Sequence, residues 1–415
     1  MTGGAASEPA SVLKPSDGRE VAAVVEWAVG AGKSLEIVGH GTRRAIGRAA
    51  QWDLTLDLSG LTGITLYEPA ELVLSARAGT PMAEIAAALA DAGQELAFEP
   101  MDCGPILGHS PGRGTLGGAI AAGLSGPRRV KAGAARDHVL GIAAVSGRGE
   151  SFKSGGRVVK NVTGYDLGKL LTGSWGTLAA MTEITVKVLP RAETEATLLV
   201  LGLDAAAAVA AMAAAMASAA EVSAAAHVPR EIAVRLGDPG GGLAATALRL
   251  EGVAPSVAHR CALLERLLRP SGSLAVIDAA GSRSLWQAIR DATSFAVADP
   301  LSARPLWRIS TVPSRAPAVV AAVAAEAEIE VLYDWAGGLV WMSPAPCDDA
   351  AAPLIRRAVA DAGGHATLIR APLPVRAAVA VFPPQDDALA ALTRRVKASF
   401  DPKGVLGPGR LQAGL

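Results

Sequence analysis

The segment from residue 160 to residue 190 constrains the fold of this chain more than any other part of the sequence. Its residue types predict, in order, a turn at Gly164, a short helix over residues 165–171, a loop with Gly173 and Gly176, and a strand over residues 178–188. Glycines let a backbone adopt positive φ and approach another surface closely, and residues that alternate along a strand face opposite sides of a sheet. The segment therefore indicates a fold in which bare backbone lies against a bound ligand.

Composition and charge exclude several classes of protein. The chain has 415 residues, enough for two or three domains with their own cores. Its 39 basic and 39 acidic residues are interspersed, so the charge pattern does not favour nucleic acid or an anionic membrane as a partner. Cys103, Cys261 and Cys347 lie far apart, which argues against a disulfide framework, a zinc knuckle or an iron–sulfur cluster in this chain.

Two segments bear on localisation. The first residues lack the basic and apolar regions of a signal peptide, so we expect a cytoplasmic protein. Residues 204–226 are rich in alanine, which is only weakly apolar, and Glu221 and His227 interrupt the tract. We therefore expect a soluble helix that packs on a sheet, and not a membrane span.

Helices and strands alternate with short connections over the first 190 residues. The pattern predicts helices over 19–31 and 81–89, and strands over 34–38, 53–58, 72–76 and 138–145. Glycine-rich loops follow the first of these strands and fill residues 104–126. The interpretation is an α+β domain over residues 1–190.

From about residue 191 the sequence predicts the order β-α-β-β-α-β twice. Strands are expected at 196–201, 232–236, 246–251, 273–278, 306–312, 329–333, 339–343 and 366–369, with helices from 204 and over 255–268, 316–325 and 348–362. Two ferredoxin-like units in tandem would form one antiparallel sheet with helices on one face. We interpret residues 191–385 as a cap domain of this kind, with a single irregular α/β domain as the alternative, and residues 386–415 as a C-terminal helix and tail.

Two glycine loops together suggest an anion site. Residues 112–117 fit the Gly-x-Gly-x-x-Gly pattern of dinucleotide-binding folds, but no buried strand precedes them and no strand with an acidic end follows at the required distance. We expect instead that residues 39–43 and 114–118 share one pyrophosphate, the first loop through backbone N–H groups, a hydroxyl and a cation, the second through a helix N-terminus.

These loops and the 160–190 segment resemble the flavin domain of the vanillyl-alcohol-oxidase type of FAD-linked oxidases, in the branch of glycolate oxidases and D-lactate dehydrogenases. The resemblance covers residues 12–190 well and implies an α+β fold with a PCMH-type FAD-binding domain. It also implies that the tail returns to that domain, with Gly407 where the family usually has Asn. The FAD-binding residues that it implies are Gly39, His40, Gly41, Thr42, Arg43, Gly114, Thr115, Leu116, Gly117, Gly118, Gly123, Ser125, Gly126, Arg136, Asp137, Gly164, Tyr165, Gly176, Thr177 and Met181.

The resemblance also bears on how FAD is held. Some relatives bind FAD covalently through a histidine that follows the first-loop glycines, and Thr42 holds that position here. We therefore expect noncovalent FAD, with His40 contributing only its backbone. Trp175 stands where the family usually has Glu, and we expect it to serve packing.

The cap lacks the Gly-Glu-His-Gly motif and the metal-ligating histidines that the resemblance implies for catalytic members. His365 has no His-x-His pair or nearby Glu, so no catalytic residue and no metal are assigned. The chain most resembles the FAD-binding E-type subunits of glycolate oxidase complexes, which implies a small 2-hydroxy acid as substrate, a catalytic FAD-linked oxidase subunit and an iron–sulfur subunit as partners, and any attachment to the inner membrane through those partners. A self-sufficient FAD-linked oxidase or dehydrogenase using Arg370, Arg376 or Tyr165 is the alternative, and intact glycine loops disfavour a flavin-free subunit.

Overall fold

The computed structural model describes residues 11–157, 164–298 and 304–414. Its strands are β1 (Ser11–Leu13), β2 (Leu35–Val38), β3 (Leu54–Asp57), β4 (Ile64–Glu68), β5 (Val73–Arg77), β6 (Gln94–Glu95), β7 (Val139–Ser146), β8 (Ser151–Gly155), β9 (Ala179–Lys187), β10 (Leu189–Pro190), β11 (Thr194–Leu201), β12 (Ala224–Val228), β13 (Ala245–Gly252), β14 (Ser273–Ile277), β15 (Leu306–Thr311), β16 (Ile329–Asp334), β17 (Leu339–Pro344) and β18 (Gly364–Arg370). Its α-helices are α1 (Gly18–Ala31), α2 (Met82–Asp91), α3 (Leu116–Ala122), α4 (Arg129–Ala132), α5 (Ala135–His138), α6 (Leu167–Leu171), α7 (Ala205–Met216), α8 (Arg230–Ala233), α9 (Ala254–Leu268), α10 (Ala279–Arg290), α11 (Ala316–Ala324), α12 (Ala352–Ala362), α13 (Leu373–Ala378) and α14 (Asp387–Phe400).

The first helix shows how local sequence sets an element. Asp17 caps α1, because its carboxylate accepts hydrogen bonds from the backbone N–H groups of Arg19 and Glu20, and Gly32 ends the helix in the left-handed conformation. The apolar face of α1 is buried, and β2, which follows it, lies in a parallel three-stranded sheet of order β1-β3-β2. The predicted helix and the two strands after it are confirmed.

The long strand predicted over residues 178–188 is β9, in the middle of a five-stranded sheet of order β4-β5-β9-β7-β8. It pairs antiparallel with β5 and with β7, and its inward residues lie in one apolar core with α2 and α3. Gly173 and Gly176 adopt φ of 84° and 75°, which explains glycine at both positions. The helix of this segment begins later than predicted, at Leu167, and residues 160–163 of the segment lie outside the described residues.

An eight-stranded sheet of order β14-β11-β13-β12-β16-β17-β15-β18 makes up the second half of the chain. Each half of this sheet is one β-α-β-β-α-β unit, all its strand pairs are antiparallel, and β12 meets β16 at a single pair, His227 and Tyr333. Helices α7, α9, α11 and α12 pack on one face, and α10 lies on the other face with residues of the first part of the chain. The predicted fold class is confirmed, while the domain boundaries stay predictions.

The strand predicted over residues 232–236 is wrong. That segment contains α8 and a 3-10 turn over Val234–Leu236, both after Pro229. The strand is β12, which includes the last three residues of the alanine-rich run that was expected to be helical and continues to Val228. All five residues of β12 are buried between two neighbouring strands, so tertiary packing overrides the weak preference of alanine for strands. None of the described helices is long and apolar enough to cross a lipid bilayer.

The segment after α14 packs against the first part of the chain. Leu406 forms a parallel bridge with Leu35 of β2, and the N–H of Gly407 donates to the carbonyl of Leu35 at 2.8 Å. The Lys397 ammonium is buried and donates to the carbonyl oxygens of Thr177 and Leu406 at 2.7 and 2.8 Å. Residues near 406 are thereby fixed beside the loop that precedes β9.

Candidate functional site

A cavity lies between the loop after β2, helix α3, the Gly176 loop and the segment after α14. Ten of the residues predicted for cofactor binding line this cavity, namely Gly39, His40, Gly41, Thr42, Arg43, Thr115, Gly117, Gly118, Gly176 and Met181. The other lining residues are Ile37, Val38, Arg44, Leu58, Ala78, Ala121, Ala122, Trp175, Ala179 and Arg410. The two glycine loops that lie 75 residues apart in sequence therefore meet at one site, which we call the cradle.

The first loop offers a series of backbone donors. Among the described residues, no carbonyl or side chain accepts a hydrogen bond from the backbone N–H groups of residues 39–43. Gly41 adopts φ of 74°, a conformation that lets successive N–H groups turn towards one point. Gly39 lies so close to Thr115 that a Cβ would stand 2.5 Å from its hydroxyl oxygen. The loop thus lies against the start of α3, and its N–H groups have no acceptor among the described residues.

The second loop contributes less backbone than predicted. The N–H of Leu116 donates to the carbonyl of Thr80, and that of Gly117 donates to the carbonyl of Ala78. A Cβ on Gly117 would lie 2.9 Å from Ala78, so this glycine permits α3 to pack on the segment after β5. The expectation that these two N–H groups hold a pyrophosphate is therefore corrected, because the fold already uses them.

Arginine side chains give the cradle its charge. Arg43 donates to the carbonyl of Met101 at 2.8 Å, and its buried Nε has no hydrogen-bond partner among the described residues. Arg410 donates from Nη2 to the carbonyls of Arg43 and Ile46, while its Nε is also buried without a partner in the described part of the chain. Burial lowers the pKa of Arg410, which Glu36 raises only in part. A bound anion would complete the coordination of both guanidinium groups.

Several predicted residues lie outside the cradle. Ser125 accepts a hydrogen bond from the N–H of Ala135, and Asp137 accepts one from that of Ala134, so both side chains fix local turns. Thr177 donates to the carbonyl of Ser174, and the Tyr165 side chain is 90% exposed. The predicted residues that the structure does not bring to the cavity wall are Gly114, Leu116, Gly123, Ser125, Gly126, Arg136, Asp137, Gly164, Tyr165 and Thr177.

Comparison with known proteins identifies the family. A family model described as "FAD binding domain" matches residues 9–155. The chain is 33% identical to the glycolate oxidase subunit GlcE of Escherichia coli over 381 residues, which cover 92% of this chain and 93% of that relative. The chain belongs to this family of FAD-linked oxidoreductases. Its cofactor is FAD, and the PCMH-type fold that the resemblance implied is confirmed.

Two further matches support weaker conclusions, because the first covers a small part of the chain and the second has low sequence identity. The glycolate oxidase subunit GlcD of Bacillus subtilis is 45% identical over 95 residues, which cover 22% of this chain and 20% of that relative. The crystal structure of p-cresol methylhydroxylase with substrate bound has a TM-score of 0.73 at 13% identity, covering 97% of this chain and 88% of that chain. The second similarity shows a shared fold alone.

The cradle fits the parts of FAD. The N–H groups of residues 39–43, which have no acceptor in the described part of the chain, and two arginines suit the diphosphate. The aliphatic side chains and alanines along α3 and β9 suit apolar parts of the cofactor. Trp175 packs edge-on against Phe382 with ring centroids 5.6 Å apart, so it closes the cradle against the second half of the chain. The sequence analysis did not predict Arg410 as a cofactor-binding residue. It did predict that the C-terminal tail, which contains Arg410, returns to the FAD-binding domain.

In the first loop of this FAD-linked oxidoreductase, Thr42 stands where the resemblance places the histidine that binds FAD covalently in some relatives. Thr42 there is 6% exposed, while His40 is exposed and its Nδ1 lies 3.0 Å from the carbonyl of Arg113. The ring of His40 thus ties the two glycine loops together. This contact goes beyond the backbone role predicted for His40.

The residues of the alternative function do not converge. Arg370 is 3% exposed and donates to the carbonyls of Ile106 and Phe295, both at 2.7 Å, so it joins the two halves of the chain. Arg376 donates to the carbonyl of Gly47 at 3.1 Å. Among the described residues, no three His, Cys, Asp or Glu side chains come together as a metal site.

Proposed function

We propose that this chain is the FAD-binding subunit of a glycolate oxidase complex that oxidises glycolate or D-lactate-type 2-hydroxy acids. The observation that carries the proposal is the match to a glycolate oxidase subunit over 93% of that relative's length. The cradle, where the first glycine loop, α3 and two arginines meet, supports a redox role. The absence of a metal-holding group among the described cap residues supports a role beside a catalytic partner subunit.

The chain's own residues hold and shield the cofactor in this proposal. The N–H groups of residues 39–43 and the guanidinium groups of Arg43 and Arg410 hold the diphosphate. Trp175 and the small residues of α3 keep water from the opposite wall. Bound FAD supplies the capacity to take up an electron pair and release it one electron at a time. The mode of attachment is proposed to be noncovalent, because Thr42 offers no imidazole.

Electrons would leave this chain through a separate iron–sulfur subunit. Cys103 and Cys261 are buried and Cys347 is exposed, and all three are free thiols. Burial raises the pKa of the Cys103 and Cys261 thiols, and partial loss of hydration raises the pKa of the more accessible Cys347 thiol. A raised pKa opposes the thiolate form that clusters require. In this proposal the chain lies in the cytoplasm and reaches the inner membrane only through its partner subunits. Those subunits pass the electrons to quinones.

Co-expression tests the proposal. A tagged copy produced with its candidate partner subunits should recover a second FAD-linked oxidase chain and an iron–sulfur protein. The isolated chain should show little turnover of glycolate or D-lactate with an artificial acceptor, and the recovered complex should show robust turnover. Recovery of a lone monomer or homodimer that oxidises a 2-hydroxy acid by itself would refute the subunit role and support the self-sufficient enzyme.

Acid precipitation tests the attachment of FAD. Denatured wild-type protein should release its yellow colour into the supernatant, since no covalent bond is expected. Colour that stays with the pellet after washing would show a covalent flavin, and peptide mapping would then locate the bond.

A further inference from the structure

One buried carboxylate lies beneath the wall of the cradle. Glu36 belongs to β2, just before the first glycine loop, and its side chain is 3% exposed. Its carboxylate accepts hydrogen bonds from Nε and Nη2 of Arg44, the first at 3.1 Å, and its Oε1 lies 3.8 Å from Nη1 of Arg410. Both arginines line the cradle, whereas Glu36 does not. Glu36 is therefore a counter-ion that acts on the cavity through the two arginines.

The cradle wall carries an excess of positive charge. Arg43, Arg44 and Arg410 line the cavity, and no described residue of its lining is acidic. Within the described ranges, Arg44 and Arg410 share one carboxylate, that of Glu36, and Arg43 pairs with none. The diphosphate of FAD carries a negative charge on each phosphate, and guanidinium groups bind phosphate oxygens strongly. Glu36 and the diphosphate therefore compete for the same cations.

Other contacts hold both arginines in place without Glu36. Nη2 of Arg410 donates to the carbonyl of Arg43 at 3.2 Å. Nη2 of Arg44 donates to the hydroxyl oxygen of Thr55, a buried residue of β3, at 3.3 Å. Glutamine has nearly the shape of glutamate and carries no charge. Replacement of Glu36 by glutamine therefore changes the net charge around the cradle and largely keeps its geometry.

Electrostatics gives Glu36 opposite effects on the apoprotein and on the FAD-loaded protein. Burial lowers the pKa of Arg410, Glu36 raises it, and the neighbouring Arg44 and Arg376 lower it. The carboxylate thus stabilises a buried cation while no other anion is bound. Once a diphosphate pairs with the arginines, the same carboxylate is a like charge close to it, and like charges repel. Glu36 therefore stabilises the apoprotein more than the loaded protein.

We propose that Glu36 is an internal counter-ion that stabilises the apoprotein and lowers the affinity of the cradle for FAD. Folding of the chain then does not depend on the cofactor to neutralise the arginines of the cradle. The affinity for FAD is in turn lower than these cations alone would give. This inference rests on FAD binding at the cradle and is independent of the glycolate oxidase role, so the two fail separately.

Glu36→Gln tests the proposal through the affinity for FAD and the stability of the apoprotein. Titration of the apoprotein with FAD should give a dissociation constant about tenfold lower than that of the wild type, because one repulsive charge is removed. Urea unfolding should show a less stable apoprotein and a larger stabilisation by saturating FAD, since a ligand of the folded state adds more stability when it binds more tightly. A glutamate that only holds the loop in shape would instead lose FAD affinity on substitution.

Arg44→Gln provides the opposite test, because it removes a cation. Its affinity for FAD should fall about tenfold. The double variant Glu36→Gln/Arg44→Gln keeps the net charge of the wild type and should bind FAD with an affinity close to that of the wild type. Glu330→Gln is the matched control, since Glu330 pairs with Arg235 in the second half of the chain. It should lower stability equally with and without FAD and leave the affinity for FAD unchanged.

Two results would overturn the proposal. The first is a Glu36→Gln protein that binds FAD no more tightly than the wild type does. The second applies where the apoprotein of Glu36→Gln does not fold, and the double variant is then compared with Arg44→Gln. Equal FAD affinity of these two folded proteins would show that the charge of Glu36 does not act on the cofactor.

Discussion

Substitution of Gly118 by valine tests the cradle most directly. Gly118 lines the cavity within α3, and a Cβ there would lie 3.2 Å from both the Arg43 Nη1 and the Thr115 hydroxyl oxygen. Its φ is not in the left-handed region, so valine is compatible with the helix. The neighbouring Gly117 is unsuitable for this test, because a side chain there would collide with Ala78 and disturb packing.

The structure gives the size of the expected effect. Glycine and valine differ in helix propensity by well under about 1 kcal/mol, in favour of valine, so the apoprotein should remain folded. The valine side chain would displace Arg43 from the cradle wall and occupy volume beside the diphosphate. A hydrogen bond to a charged group contributes about 1.5–3 kcal/mol, and the loss of one such contact together with the steric conflict should cost about 3 kcal/mol. FAD should therefore bind about 100-fold more weakly.

Flavin content and FAD affinity measure this effect. Absorbance near the flavin band relative to protein should fall in Gly118→Val, and titration of apoprotein with FAD should give the weaker dissociation constant. Gly30→Val is the matched control, since Gly30 lies in α1 and a Cβ added there would have no heavy atom within 4 Å, and it should keep full flavin. A yellow Gly118→Val protein with wild-type affinity would refute the assignment of the cradle to the FAD diphosphate.

Three further predictions concern stability. Lys397→Met should destabilise the chain by about 3–5 kcal/mol in urea unfolding, because it leaves the buried carboxylate of Asp401 without its cation. Arg128→Met should lower the free energy of unfolding by a similar amount, because it leaves the three glutamates that pair with Arg128 without their cation. An unchanged urea midpoint would contradict this prediction. Burial in the folded state raises the pKa of Asp334 from 3.8 to about 7, so its protonation stabilises the fold below pH 4, and that contribution is lost as pH rises to 7. Between pH 4 and pH 8, the free energy of unfolding of Asp334→Asn should therefore rise by up to about 4 kcal/mol relative to that of the wild type. Parallel plots of this free energy against pH for the two proteins would refute the prediction.

Sequence patterns predicted the fold well where local chemistry determines it. The helix after Asp17 has a side-chain cap, an apolar stripe and a terminal glycine, and each of these is visible in the sequence. The strand β12 was missed because its residues are mostly alanines, whose burial depends on neighbouring strands far away in sequence. Such tertiary override leaves no periodic signal in the sequence.

The candidate site was likewise predicted from the sequence only in part. Glycine spacing pointed to both loops, because positive φ and close approach leave a signature at Gly39 and Gly41. It could not show that the N–H groups of Leu116 and Gly117 are used by carbonyls on another segment. Nor could spacing place Glu36 beside Arg410, since that contact depends on how the C-terminal tail docks.

The contact between Arg410 and the first loop sets an order of events during synthesis. Arg410 donates to the carbonyl of Arg43 across a separation of 367 residues, and both side chains line the cradle. At a translation rate of about 5–20 residues per second, the ribosome adds Arg410 roughly 20–70 seconds after Arg43. The cradle therefore lacks Arg410 until synthesis of the chain is nearly complete, and we expect FAD binding to be a late step of folding.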